Sequence, residues 1–257
     1  MAEFETVRRT GAGVRTAQVD EGLRAHMNKV YGLMAMAMVI TGAAAWAVAG
    51  LAVSDVPTQY QIGADTFLTS FGVAIYASPL KWVIMLAPLA VVFGMSAGIN
   101  RLSEAGLQGV FWLFSALMGL SLSSIFLVFT GYSIVQVFLV TAIAFAGLSL
   151  WGYTTKKDIS AWGSFLIMGV IGLIVAMVVN IFLASPAVTF AISAIGVLIF
   201  AGLTAYDTQK IKTTYLEMRG TEGEAYLGKA AIMGALSLYL DFINMFMFLL
   251  QLFGNRN

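Results

Sequence analysis

Long apolar stretches alternate along this chain with short charged or Pro/Gly-containing breaks. The apolar runs cover 30–53, 80–98, 110–130, 133–153, 162–184, 187–206 and 230–253. Each holds about 19 to 24 residues, enough at ~1.5 Å per residue to cross a hydrocarbon layer of about 30 Å. None shows the strict alternation of a barrel strand, and a backbone facing lipid must satisfy its own hydrogen bonds. The pattern therefore predicts an all-α membrane protein with seven transmembrane helices.

The breaks refine this reading. Gly131-Tyr132 and Ser185-Pro186 read as tight helical hairpins, while the longer connections are 54–79, with Pro57 and Pro79, and the charged segment from Asp207 to Lys229. Ile211, Tyr215 and Met218 keep a helical spacing with no Pro or Gly before Gly220, so the sixth helix is expected to run on to about residue 215. Residues 1–29 are of mixed charge and are expected to form a mobile tail. Ala47-Val48-Ala49 imitates a signal-peptide cleavage site, but the polar segment ahead of the apolar run is long, which favours a retained first helix.

Lysine and arginine orient the chain. Arg8, Arg9, Arg15, Arg24, Lys29, Arg101, Lys156, Lys157, Lys210, Lys212, Arg219 and Lys229 fall on one side of a seven-span arrangement, against Lys81 and Arg256 on the other. The excess predicts a cytoplasmic N-terminus and an external C-terminus. Composition agrees with lipid as the solvent, since 60% of the residues are hydrophobic and 11% charged. A net charge of +1 leaves no basic face for nucleic acid, and the absence of cysteine excludes thiolate metal centres and a cysteine nucleophile. The one histidine, His26, lies in the tail and offers no haem site, so no cofactor is expected.

Candidate chemistry rests on carboxylates. Asp241 lies about eleven residues into the last apolar run, where an aspartate facing lipid costs about 2.5 to 3.5 kcal/mol. At 100° per residue it shares one line with Ser237, Asn244, Phe248 and Gln251, a polar seam that needs a wet or protein-packed neighbour. Ser115, Gly119 and Ser123 on the third helix and Gly169, Gly172 and Ala176 on the fifth read as packing faces, while Asn180 at lipid depth needs a partner. The second acid is Asp207. With the sixth helix extended, it approaches the depth of Asp241. Two carboxylates at ~4 Å repel by about 4 kcal/mol at an effective dielectric of 20, so such a pair would share a proton and respond to pH. Arg101 and Glu104 offer a competing partner for Asp207 or, more plainly, a solvated loop pair.

Ala205-Tyr206-Asp207-Thr208-Gln209, followed by Ala235-Leu236-Ser237-Leu238-Tyr239-Leu240-Asp241-Phe242-Ile243-Asn244, resembles the Bax inhibitor-1 family, also called the transmembrane Bax inhibitor motif family, in its bacterial branch. The resemblance spans about residues 28–256 and implies a multi-pass protein of the bacterial inner membrane whose last helix is surrounded by the other six. It further implies a pH-sensitive calcium leak gated by Asp207 and Asp241, with an arginine at or near Arg101 exchanging partners with the first aspartate. Residues 82–98 contain no acid where some relatives carry a glutamate, so a second cation-attracting site is not expected. With six to eight oxygens preferred by calcium, Asp207 and Asp241 would hold it only weakly and transiently.

Other functions compete for the same residues. Bacterial members of the family can restrain a membrane-bound AAA protease, and the basic tail would then be the contact. Intramembrane aspartyl proteases also pair aspartates on neighbouring helices, but their Gly-x-Gly-Asp and Pro-Ala-Leu sequences are missing here, so no enzyme is expected. A retinal pump needs a lysine in the last helix, and 231–253 has none. Gly223 to Ala230 imitates a phosphate-binding loop without its final Ser or Thr or a preceding strand.

Overall fold

The computed structural model describes residues 2–62, 66–219 and 224–257, with side chains described for 21–62, 66–219 and 226–257. Its long helices are α1 (Ala2–Ala52), α2 (Leu80–Gly98), α3 (Glu104–Leu122), α4 (Gly131–Thr154), α5 (Ser160–Leu183), α6 (Pro186–Met218) and α7 (Glu224–Phe253). Among the described residues, seven helices are long and apolar enough to cross a membrane. Large apolar side chains cover their outer faces: Phe182 is 84% exposed and Phe165 77%, an arrangement water would penalise and lipid tolerates.

Local chemistry sets the ends. Ser103 accepts from Gly106 N at 3.1 Å to start α3, and Thr130 accepts from Ser133 N at 3.3 Å to start α4. Ser185 accepts from Val188 N at 3.4 Å and Pro186 occupies the first turn of α6, where its missing N–H costs nothing. Helix α5 closes through Ala184 in the left-handed region, with φ 47°.

Three boundaries differ from the hydropathy reading. Leu23, His26 and Met27 are buried, so residues 21–29 pack as a part of α1 instead of belonging to a mobile tail. The side chains of 1–20, including Arg8, Arg9 and Arg15, lie outside the described set. The third helix begins at Glu104, earlier than its apolar run, because Ser103 caps it and the acidic Glu104 sits favourably in its first turn. It then breaks at Ser123 and resumes as one short turn over Ile125–Val128. The 54–79 connection holds a two-stranded pairing of Val53–Ser54 with Phe67–Leu68 and a π-helical turn over Val73–Ala77.

The α6–α7 interface is the most extensive in the bundle, and α7 also packs on α1, α4 and α3. Two thirds of its apolar window is buried, against 11% for α5, which packs chiefly on α6. Close approach is achieved with small residues. A Cβ on Gly119 would strike the Thr41 carbonyl and Ala44 of α1, one on Gly152 the Ala205 backbone of α6, and one on Gly196 the Phe248 ring of α7. Gly169 meets Ile199 of α6, whereas Gly172 faces open space. Asn255 and Asn257 strap the chain end to the turn before α4: Thr130 N donates to Asn255 O at 3.0 Å, and Asn257 N to Val128 O at 3.0 Å.

Candidate functional site: two aspartates between α6 and α7

Four consecutive residues of α6 face four different neighbours. Tyr206 lies where a Cβ on Gly163 of α5 would be. Asp207 is half-buried and acts electrostatically on Asp241 of α7. Thr208, fully buried, shares a hydrogen bond of 2.9 Å with Ser149 of α4, which in turn shares one of 2.6 Å with Tyr31 of α1. Thr208 Oγ1 donates to Thr204 O at 2.7 Å, so the Ser149 hydroxyl is the donor to Thr208, and Tyr31 donates to Ser149. Gln209 clamps the α4–α5 connection, accepting from Ile159 N at 3.0 Å and donating to Lys157 O at 2.8 Å. At 100° per residue this tetrad sweeps almost a full circle, which explains why α6 needs polar groups on every side at this level.

Asp241 is 4% exposed, and its Oδ2 is buried with no hydrogen-bond partner among the described residues. A buried carboxylate oxygen without a donor is costly unless a proton is shared with a neighbouring acid, and Asp207 is the acid at hand. Two residues earlier, on roughly the opposite side of α7, Tyr239 is completely buried. Its hydroxyl lies 2.7 Å from Thr41 Oγ1, and Thr41 spends its proton on Ser115 O at 2.9 Å. Tyr239 is therefore the donor to Thr41. Its ring stands edge-on to Phe111 and Phe114, with centroids 6.3 and 5.3 Å away. This anchor fixes the rotation of α7 and so turns Asp241 toward α6.

The remaining members of the expected seam separate. Ser237 is half-buried on α7. Asn244 donates back to Leu240 O of its own helix at 2.8 Å. Gln251 is exposed and, with Asn180, Thr189 and Arg256, lines a cavity of about 340 Å³ at the chain-end side of the bundle. Asn180 finds its partner in the α5–α6 hairpin, donating to Thr189 Oγ1 at 2.8 Å and accepting from Ser185 N at 3.1 Å. The polar line drawn on α7 is thus two clusters, because Asn side chains within a helix satisfy themselves locally when no cross-helix partner is in reach.

Arg101 does not meet Asp207 here. It is exposed just beyond α2 and forms no ion pair among the described residues; the cation acting on Asp207 is Lys210, one turn further along α6. Glu104 pairs with Lys29 of α1 at 2.6 Å instead of with Arg101, and its carboxylate occupies the space left by Gly228 of α7. Lys229 Nζ donates to Ile99 O at the end of α2 at 3.0 Å. In the phosphate-loop look-alike, Gly223 and the side chains of 224–225 lie outside the described set, and Gly228 and Lys229 serve these helix-end contacts. No group of three His, Cys, Asp or Glu is placed to hold a metal ion among the described residues.

Sequence reasoning missed the hydroxyl chain through Tyr31, Ser149 and Thr208 and the Tyr239–Thr41 anchor. The signal was weak: isolated Ser and Thr in apolar helices usually bond their own backbone, and nothing in the spacing pairs positions 31 with 149 or 41 with 239.

Comparison with known proteins adds to this geometry. A family model described as "Inhibitor of apoptosis-promoting Bax1" matches residues 23–257. The chain is 46% identical over 238 residues to an uncharacterized protein of Caulobacter vibrioides, covering 93% of this chain and 91% of the relative. It is 43% identical over 235 residues to the inner membrane protein YbhL of Escherichia coli K12, covering 91% and 93%. An uncharacterized protein of Rickettsia prowazekii is 42% identical over 238 residues, 92% of each chain. Matches of this length, spanning all seven helices and both aspartate segments, show that the chain belongs to the Bax inhibitor-1 family.

Proposed function

We propose that this protein is a pH-sensitive leak for calcium ions in the bacterial inner membrane, gated by a proton shared between Asp207 and Asp241. The observation that carries the reading is the buried, partnerless Oδ2 of Asp241 on a helix face whose acidic neighbour is Asp207. With one proton between them the two side chains attract, and α6 and α7 stay closed. Loss of that proton leaves two like charges which, at ~4 Å and an effective dielectric of 20, repel by about 4 kcal/mol, enough to shift a closed helix pair strongly.

In this reading α7 is the axis of the bundle, the N-terminus lies in the cytoplasm and the C-terminus outside, as the distribution of Lys and Arg among the connections supports. Calcium is cargo. Two carboxylates with Ser237 and water make a poor storage site, and brief occupancy is what conduction requires.

The test is flux through purified protein in liposomes loaded with a calcium dye, at about pH 6 and about pH 8, a window in which a strongly interacting acid pair can titrate. Wild-type flux is expected to differ between the two, and Asp207→Asn and Asp241→Asn to abolish that difference. Impermeability at both pH values would overturn the leak and leave a protein-partner role, such as contact with a membrane protease, for the basic N-terminal segment.

A further inference from the structure

Helices α1 and α4 make little direct packing contact, and between them lies a crevice of about 430 Å³. Its inner walls are apolar, formed by Met27 of α1 and Phe145 and Ala146 of α4. Its mouth is polar, with Arg24 on one side and Tyr153 on the other. Lys212 of α6 stands beside that mouth: its ammonium donates to Tyr153 O at 2.8 Å and lies 5.3 Å from the Tyr153 ring centre, with two further N–H groups to offer. Glu21, one turn before Arg24, does not line the crevice, and Arg24 forms no ion pair among the described residues.

The dimensions match part of a lipid. From Tyr153 to Phe145 along α4 is ~12 Å, and from Arg24 to Tyr31 along α1 ~10 Å, most of the ~15 Å thickness of one hydrocarbon leaflet. Cations and a tyrosine at the mouth with an apolar slot beneath reproduce, on the protein, the depth profile of a phospholipid: a charged head above, a chain below. We propose that this crevice is a binding site for an anionic phospholipid of the surrounding bilayer, its phosphate between Arg24 and Lys212 and the upper part of one acyl chain against Met27, Phe145 and Ala146. The floor of the slot is the Tyr31–Ser149 hydrogen bond, which continues to Thr208, so an occupant touches the same polar chain that abuts the aspartate-bearing turn of α6. The proposal stands whether or not the protein conducts calcium.

Native mass spectrometry of the purified full chain in detergent tests it, with phosphatidylglycerol and phosphatidylcholine of identical chains as probes. Tighter retention of phosphatidylglycerol is expected, falling about fivefold for each of Arg24→Gln and Lys212→Gln, the factor that ~1 kcal/mol per cation near an anionic surface represents. Arg24→Lys should keep most of the preference, and Ala146→Phe, which fills the slot, should weaken both lipids; a thermal melt of each variant verifies folding. Equal retention of the two lipids, or an unchanged preference in Arg24→Gln/Lys212→Gln, overturns the site. Competition by glycerol phosphate as strong as by the whole lipid would overturn the acyl-chain half of the proposal.

Discussion

The Tyr239–Thr41 anchor makes a sharp prediction, because the donor order is fixed by the structure. Thr41 gives its proton to Ser115 O at 2.9 Å, so Tyr239 gives its own to Thr41 at 2.7 Å. Replacing Tyr239 by Phe keeps the ring against Phe111 and Phe114 and deletes one donor, a loss of about 1 kcal/mol. Replacing Thr41 by Val is worse, because it strands a fully buried phenol and removes a donor from Ser115 O; about 2 kcal/mol is expected. Once Tyr239 is Phe, Thr41→Val strands nothing, so the double variant should lose about 2 kcal/mol, leaving a coupling near 1 kcal/mol. Interhelical hydrogen bonds in membranes average about 0.6 kcal/mol and reach about 1.7, so this lies inside the known range. Denaturant-driven unfolding of the four proteins in mixed micelles gives the cycle. Additivity to within about 0.3 kcal/mol would refute the Tyr239–Thr41 hydrogen bond. Because the anchor sets the rotation of α7, Tyr239→Phe should also blunt the pH dependence proposed above for calcium flux, while Thr41→Val combined with it should blunt it no further.

Gly152→Val would drive side-chain atoms into the Ala205 backbone, and overpacking of this kind costs about 1 to 3 kcal/mol; a lowered melting temperature is expected, and wild-type stability would contradict the close α4–α6 approach. Lys29→Ala removes an ion pair whose members are 45% and 34% exposed, so its effect on stability should stay below about 1 kcal/mol and shrink further in high salt. The Ser160 hydroxyl and its backbone N–H, both bonding to Asp158, hold that carboxyl below its ordinary value. A group held lower in the folded state stabilises above the unfolded value, about pH 4, and loses that contribution as the pH falls through the folded value. Asp158→Ala should therefore lower the melting point at neutral pH, with the difference closing in acid; a difference that grows in acid would refute this.

What the sequence determined by itself is the solvent and the scaffold. Seven apolar runs long enough to cross lipid leave the backbone one conformation, since no water is there to satisfy its N–H and C=O groups. The continuation of α6 past its apolar run was legible from the spacing of Ile211, Tyr215 and Met218, because helical periodicity survives a change from lipid to water. Asp241 announced itself by its cost in hydrocarbon, and the Tyr206–Gln209 and Ala235–Asn244 segments carried the family. The partners of each polar group were decided only by tertiary structure. Glu104 takes Lys29 over Arg101, Asn244 turns back on its own helix, Asn180 closes a hairpin, and residues 21–29 join the bundle. A hydrogen bond reaches about 3 Å, whereas sequence spacing fixes only the face of a helix and not its depth or rotation against a neighbour. Those last two quantities are set by where small residues such as Gly119, Gly152 and Gly196 let helices touch, and they decide which polar groups of neighbouring helices come within reach of one another.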